Sequence, residues 1–164
     1  MGWVRCCVYS ADGAMLLSGG DDNTLKLWSV ATGACIRTFN GHTHWIMSCC
    51  FSPADGNTIL SGSCDKTLKL WEATTGVCRR TLTGHTGVVR GCAFSPVYGN
   101  LVLFCSNDST LKLWDATTGC ARRRWRGTRV ASTAAHSAPT EQPSPAATIW
   151  ASSSSGDDGD ASRE

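Results

Sequence analysis

Between Gly41 and Trp71 the chain alternates short apolar or small-residue runs with fixed turn signals, and between Gly84 and Trp114 it does so again, 43 residues on and without a gap. Residues 41–83 and 84–126 agree at 23 of 43 positions, and Trp28, Trp71 and Trp114 carry the same phase back toward the N-terminus. Self-similarity at one period in this range is the signature of a repeat architecture, so it outranks the reading of any single residue as a site. The apolar runs are too short for helices and are bounded by turn residues, which predicts strands. Four fit in each period, and in the second copy strands a, b, c and d are Trp45–Phe51, Thr58–Ser63, Thr67–Glu72 and Val77–Leu82.

The turns have their own chemistry. Ser52-Pro53-Ala54-Asp55-Gly56 closes the first hairpin, with Pro presetting one dihedral and Asp-Gly tolerating positive φ. Asp65-Lys66-Thr67 joins the second strand to the third, and Ala73-Thr74-Thr75-Gly76 joins the third to the fourth. Gly33, Gly76 and Gly119 recur where a left-handed residue is wanted. The first two strands of each copy are apolar or small on both faces, as in a sheet sandwiched between neighbours. The fourth, with Arg79 and Arg80, reads as an outer edge.

Three features resemble the WD-repeat (Trp-Asp repeat) β-propellers: Gly-His at 41–42 and 84–85, an Asp six residues before each Trp, and Leu-Lys-Leu-Trp followed by Ser29, Glu72 or Asp115. The resemblance covers about residues 3–127. It implies an all-β fold, a partial β-propeller of three four-stranded blades (about 1–40, 41–83 and 84–127), followed by a C-terminal tail. It also implies a hydrogen-bonded tetrad of His, Ser, Asp and Trp in each blade. The second copy is complete as His42, Ser61, Asp65 and Trp71; the first has Ser18, Asp22 and Trp28, its Gly-His falling just before Met1. The third has His85, Asp108 and Trp114, but Phe104 replaces the Ser, so the indole N–H needs another acceptor and this blade is expected to be the weaker one.

Ten cysteines bring in disulfide and zinc chemistry, and the repeat answers both. Cys7, Cys49 and Cys92 share one strand position, Cys35 and Cys78 another, so they read as small apolar fillers; no Cys-x-x-Cys pair exists. His42 and His85 are repeat positions rather than catalytic bases, and His42-x-His44 lacks a third ligand. No catalytic, cofactor-binding or metal site is expected. No apolar run is long enough to span a bilayer, and a cysteine-rich chain without disulfides points to an intracellular, reducing compartment, cytoplasm and nucleus being undistinguished.

Charge divides the chain. Residues 1–127 hold 13 Lys and Arg against 8 Asp and Glu, whereas residues 128–164 hold 2 against 5 and are rich in Ser, Ala, Pro and Gly. The latter read as a disordered low-complexity tail. Three blades are fewer than the four to eight of a closed propeller, so the chain reads as a segment of a longer one, its end blades covered by further blades or by self-association. The resemblance implies a non-catalytic protein–protein interaction scaffold. The alternative is an RNA- or DNA-associated subunit using the cluster Arg122–Arg126, which the placement of Arg on both faces of one strand disfavours. In the family the surface of d-to-a loops and b-to-c turns is a common docking face, and it maps to Trp3, Arg5 and Asp21 in the first copy. The second copy contributes Trp45, Met47 and Cys64, and the third Val88, Arg90 and Asn107. These positions vary between copies while the framework does not, and Trp, Arg and Met are enriched in interface cores.

Overall fold

The computed structural model describes residues 2–127; the expectation for the tail falls on residues 128–164, outside the described residues. Twelve strands form three antiparallel sheets, each a meander in chain order. Blade 1 contains β1 (Val4–Tyr9), β2 (Met15–Gly20), β3 (Leu25–Ser29) and β4 (Cys35–Phe39). Blade 2 contains β5 (Ile46–Phe51), β6 (Thr58–Ser63), β7 (Leu68–Glu72) and β8 (Cys78–Leu82). Blade 3 contains β9 (Val89–Phe94), β10 (Leu101–Ser106), β11 (Thr110–Asp115) and β12 (Ala121–Arg126). In blade 2 each expected strand begins within one residue of the observed one. The fold is all-β, consistent with three blades of a propeller.

The left-handed residues sit where the turns demand them. Gly33, Gly76 and Gly119 have φ of 70°, 80° and 76°. The b-to-c turns use the same region without glycine: Asn23, Lys66 and Ser109 have φ of 63°, 68° and 62°. The preceding Asp holds each turn, as Asp65 does by accepting from the Thr67 N–H (2.9 Å) and Oγ1 (2.6 Å).

Two cores lie between the sheets rather than inside any one of them. Leu17, Leu25, Leu27 and Phe39 of blade 1 pack against Ile46, Cys49, Ile59 and Trp71 of blade 2. The other face of blade 2, with Leu60, Leu68, Leu70 and Leu82, packs against Val89, Cys92, Val102 and Trp114 of blade 3. Cys49 and the adjacent Cys50 thus serve opposite cores. The filler reading holds for Cys49 and Cys92, which are buried, and is corrected for Cys7, Cys35 and Cys78, which are exposed. Cys35 and Cys78 lie on outer strands that nothing overlies, each thiol turned back on its own strand toward the carbonyl of Arg37 or Arg80. Cys7 points from the uncovered face of blade 1.

A polar contact repeats at both junctions. Arg37 Nη1 donates to the Thr75 carbonyl (3.0 Å), and Arg80 donates to the carbonyls of Thr118 (2.9 Å) and Thr117 (2.8 Å). A Cβ on Gly76 would stand 3.0 Å from Arg37 Cδ, whereas one on Gly33 would meet nothing within 4 Å. Both Gly→Ala changes force a non-glycine residue to positive φ at about 1–2 kcal/mol. Gly76→Ala should cost more than Gly33→Ala, because it also displaces the arginine that ties blade 1 to blade 2. Denaturant midpoints of the two variants check this; equal losses would show that the arginine contact contributes nothing.

Candidate functional site

The interior of each blade is organised by a chain of hydrogen bonds beneath the face where the d-to-a loops lie. In blade 2 the Trp71 indole N–H donates to Ser61 Oγ (2.9 Å), Ser61 Oγ meets His42 Nε2 (2.7 Å), and His42 Nδ1 meets Asp65 Oδ2 (2.7 Å). Asp65 also accepts from the Thr43 N–H (3.1 Å). Burial works against ionisation of Asp65, yet the hydrogen bonds from His42 and Thr67 hold its carboxyl well below the usual carboxylate range. In blade 1, Trp28 donates to Ser18 Oγ (2.9 Å), while Asp22 accepts from the Thr24 N–H (3.1 Å).

Blade 3 keeps only half of this chain. His85 Nδ1 meets Asp108 Oδ2 (2.8 Å), but Phe104 fills the position of Ser61, and both His85 Nε2 and Trp114 Nε1 are buried without a partner among the described residues. Burial pushes the His85 imidazole below its ordinary pKa, against the pull of Asp108 and with a small push from Lys112 and Arg124. Burial likewise opposes Asp108, whose bonds to Thr110 and His85 nonetheless hold its carboxyl low.

Above these interiors, the structure brings most of the candidate docking residues together through a device that sequence reasoning missed. Strand a of every blade carries a one-residue bulge: pairing skips from Val4 to Cys6, from Ile46 to Ser48, and past Arg90 between Val89 and Gly91. The bulged residues are Arg5, Met47 and Arg90. A bulge breaks the strict in-and-out alternation and re-aims one side chain. Arg5 grips Asp21 through two bonds, Nε to Oδ1 (2.6 Å) and Nη2 to Oδ2 (3.0 Å). Its guanidinium lies 5.1 Å from the Trp3 ring centroid and 5.0 Å from that of Trp45. His44 packs edge-on against Trp45 at 5.1 Å between ring centroids, and its Nδ1 accepts from the Trp45 N–H, so it supports the stack.

The stack is open to solvent: Trp3 is 74% and Trp45 41% exposed. Arg90 Nε donates to Asn107 Oδ1 (3.1 Å), a neutral acceptor, so its charge is uncompensated where that of Arg5 is not. Cys64 lies between them electrostatically, its thiol pushed up by burial and eased down by Arg90 and Arg5. Backbone bonds tie the paired positions together in all three blades, from Asp21 N to Trp3 O, Cys64 N to Trp45 O and Asn107 N to Val88 O, each 2.9 Å. The apolar side chains of Met47 and Val88 are half-buried, and Val88 joins the cluster only through its carbonyl.

The basic cluster on β12 is divided. Arg122 bonds Asp115 Oδ2 (2.5 Å), while Arg123 pairs across from Leu113 and Arg124 from Lys112, on opposite faces of the strand. Among the described residues, no group of three or more His, Cys, Asp and Glu is placed to hold a metal ion, and no helix is long and apolar enough to cross a membrane.

The family profile described as "WD domain, G-beta repeat" matches residues 1–29, 33–72 and 76–115. Periodic tryptophan protein 2 of Arabidopsis thaliana is 46% identical over 41 residues, covering 25% of this chain and 5% of that protein. F-box/WD repeat-containing protein 7 of Drosophila melanogaster is 47% identical over 45 residues, 27% of this chain and 3% of that protein. WD repeat domain-containing protein 83 of Danio rerio is 44% identical over 46 residues, 28% of this chain and 15% of that protein. The matched stretches thus span a small part of each relative's length.

Two predictions test the tetrads. Ser61→Ala strips the buried Trp71 N–H of its acceptor and should cost about 1–3 kcal/mol. Phe104→Ser should be more stable than Phe104→Ala by a similar ~1–3 kcal/mol, because the hydroxyl offers a partner to the His85 and Trp114 nitrogens while both variants open the same cavity. Denaturant titration reads both, and equal Ser and Ala variants would show that the orphaned nitrogens carry no penalty.

The pH dependence follows from signs. The unfolded chain takes up a proton at His85 near pH ~6.5, before the folded one does, so stability falls as pH drops below that value. Asp65 and Asp108 stabilise the fold above about pH 4 and lose that contribution as pH falls toward their lowered folded values. His85→Gln should flatten the stability profile just below pH ~6.5 and leave the acid limb below ~4 in place. An unchanged slope in the upper window would assign it to other groups.

Proposed function

The chain belongs to the WD-repeat family, and on that premise we propose that it is a non-catalytic protein–protein interaction scaffold docking partners on the face bearing Trp3, Arg5, Asp21, Trp45 and Arg90. The observation that carries this reading is the bulge shared by all three blades, which delivers Arg5, Met47 and Arg90 to one face where an arginine is clamped between two exposed tryptophans. Surface arginine is costly to immobilise, since its rotamers must be fixed. Asp21 and the two rings have fixed Arg5 already, so a partner would meet a rigid surface. Aromatic and arginine anchors of this kind dominate binding hot spots.

The chemistry of the partner follows from charge. Asp21 neutralises Arg5, whereas Arg90 keeps its charge beside Asn107. The fitting ligand is a protein segment presenting an apolar side chain to the tryptophans and an acidic group to Arg90. No enzymatic role is proposed: each histidine–carboxylate pair is spent inside a blade, with its open end on a serine or on nothing.

The test is peptide selection from a random display library on the wild-type chain, repeated on Trp3→Ala and Arg90→Glu. Enriched sequences should combine Asp or Glu with an aromatic or aliphatic residue and should lose roughly tenfold or more in affinity for either variant. Trp3→Ala is the cleaner probe, because the exposed ring supports no core and the thermal midpoint should stay within experimental error. Arg5→Glu is expected to lower both midpoint and affinity, since it breaks the Asp21 clamp. Peptides that bind all variants equally, or that are basic, would refute this face and this partner.

A further inference from the structure

We propose that Cys50 and Cys92 form a reversible disulfide across the junction of blades 2 and 3, a modification site for an oxidant of the peroxide class. It stands independently of the docking face, to which neither sulfur belongs.

The two strands concerned are sheet edges. β5 and β9 each end their own sheet, so the hydrogen-bonded ladders of blades 2 and 3 run on either side of the gap between them. Side chains cross it. Ser48 and Cys50 leave one face of β5, and Cys92 leaves the face of β9 that meets them, in the core that Cys92 fills and Cys50 flanks. Cys50 Sγ stands 3.7 Å from Cys92 Sγ, in van der Waals contact. A disulfide bond is about 2.05 Å long, so the pair must close by roughly 1.7 Å, a shift on the scale of small rotations about the two Cα–Cβ bonds.

The neighbouring cysteines are placed differently. Cys49 leaves the opposite face of β5, into the core shared with blade 1. Cys105 pairs with Gly91, the residue before Cys92, and its thiol donates to the Gly91 carbonyl (3.8 Å) on the other face of that sheet. Cys6 lies beside Cys49 at the junction of blades 1 and 2, but its thiol donates to the Gly19 carbonyl of its own blade (3.7 Å). That junction also lacks the serine: by strand register Cys6 itself holds the position of Ser48, and Val8 that of Cys50.

Ser48 supplies the chemistry. Its Oγ accepts from the Cys92 N–H (3.1 Å), which leaves its own proton to donate to Cys92 Sγ (3.2 Å). Sulfur attacks as the thiolate, and a donor aimed at it favours that form. The Cys50 thiol and burial push the Cys92 thiol up, and Ser48 works against them. Exposure sets the order of events. Cys50 is half-buried and Cys92 buried, so the oxidant meets Cys50 first.

The Cys50 thiolate attacks one oxygen of hydrogen peroxide and the O–O bond breaks; the departing hydroxide takes the proton that Cys50 gave up and leaves as water. Cys92 sulfur then attacks the sulfur of the Cys50 sulfenic acid. The S–O bond breaks, and the second hydroxide leaves as water with the Cys92 proton. Two thiols and one peroxide thus become one disulfide and two waters, two electrons passing from the sulfurs to the peroxide. An external dithiol reverses the step by exchange. The bridge fastens positions 42 apart in the sequence and holds two blades together across their apolar junction.

The test exposes the full-length chain to hydrogen peroxide, alkylates the remaining thiols and maps peptides without reduction. The linked Cys50 and Cys92 peptides should be the main intramolecular product and should separate on treatment with dithiothreitol. The bridged monomer should unfold about 5–15 °C above the reduced one, because the cross-link restricts the unfolded chain. Cys50→Ala is a change that the repeat already accepts, since Ala93 holds that position in blade 3, and it should fold and leave Cys92 unmodified. Ser48→Ala keeps both sulfurs and should bridge several times more slowly. Sulfinic acid at Cys50 beside a free Cys92 overturns the proposal, and so do bridges confined to the exposed Cys7, Cys35, Cys78 and Cys120. A Cys50 to Cys92 bridge that lowers the midpoint refutes the fastening of the blades, and an unchanged rate in Ser48→Ala removes the serine from the reaction.

Discussion

A four-stranded sheet that is apolar on both faces has no stable existence by itself; it must lie between two others. That constraint governs everything described here. Both cores of the molecule lie between blades, so Ile59 and Leu60, adjacent on β6, are buried in different clusters and each belongs as much to a neighbour as to its own sheet. The stability of such an array is a sum of blade and junction contributions rather than the property of one core. Among the described residues, blade 2 alone has both faces covered, and it alone has the complete hydrogen-bonded chain, from Trp71 to Asp65.

The tetrad converts sheet packing into a fixed orientation for the loops. His42 lies at the end of the linker from blade 1, yet its two nitrogens bond Ser61 and Asp65 of blade 2. A residue from the connection is thereby pinned beneath the next blade's surface, and Thr43 and His44 follow in a defined path to Trp45. In blade 3 the same histidine is held through Nδ1 only, by Asp108 and more distantly by Thr110 Oγ1 (3.4 Å), and Phe104 trades two hydrogen bonds for additional apolar contact in the core shared with blade 2. Transfer of a phenyl ring and loss of two buried partners are of comparable size, a few kcal/mol each, which is how a departure from the repeat can persist.

Much of this was legible in the sequence because a repeat states its own framework. Period, strand positions and turn glycines are all local, and each copy checks the others; the missing partner of Trp114 could be read from Phe104 by position alone. What escaped was whatever breaks the strict alternation of a strand. The bulges at Arg5, Met47 and Arg90 insert one residue without altering composition or period, so the docking positions could be assigned to a face but not given a cause. Nor could sequence show that Arg5 is sandwiched between Trp3 and Trp45, since those tryptophans belong to different blades and meet only once the blades pack. The exposure of Cys7 was hidden for the same reason: its copies at Cys49 and Cys92 are buried by neighbours that blade 1 lacks on that side.

The bulge also explains why framework and face can vary separately. In a regular strand the residue after Val4 would alternate to the opposite sheet face, and on blades 1 and 2 that face is packed against a neighbour. An arginine there would need a buried counter-charge or would expel its neighbour. Inserting one residue leaves Val4, Ile46 and Val89 in the strand pairing on one side and Cys6, Ser48 and Gly91 on the other, while the residue between them is released from the alternation. That residue is Arg, Met and Arg in the three blades, types of very different size and charge that no single packed position would accept. The freedom is local to the bulge: one residue earlier Ile46 and Val89 are fully buried aliphatics, and two residues later Cys49 and Cys92 are both cysteine. Variation at the face therefore needs no compensating change in the cores, and a repeat rigid enough to stack can still present a different surface in every copy.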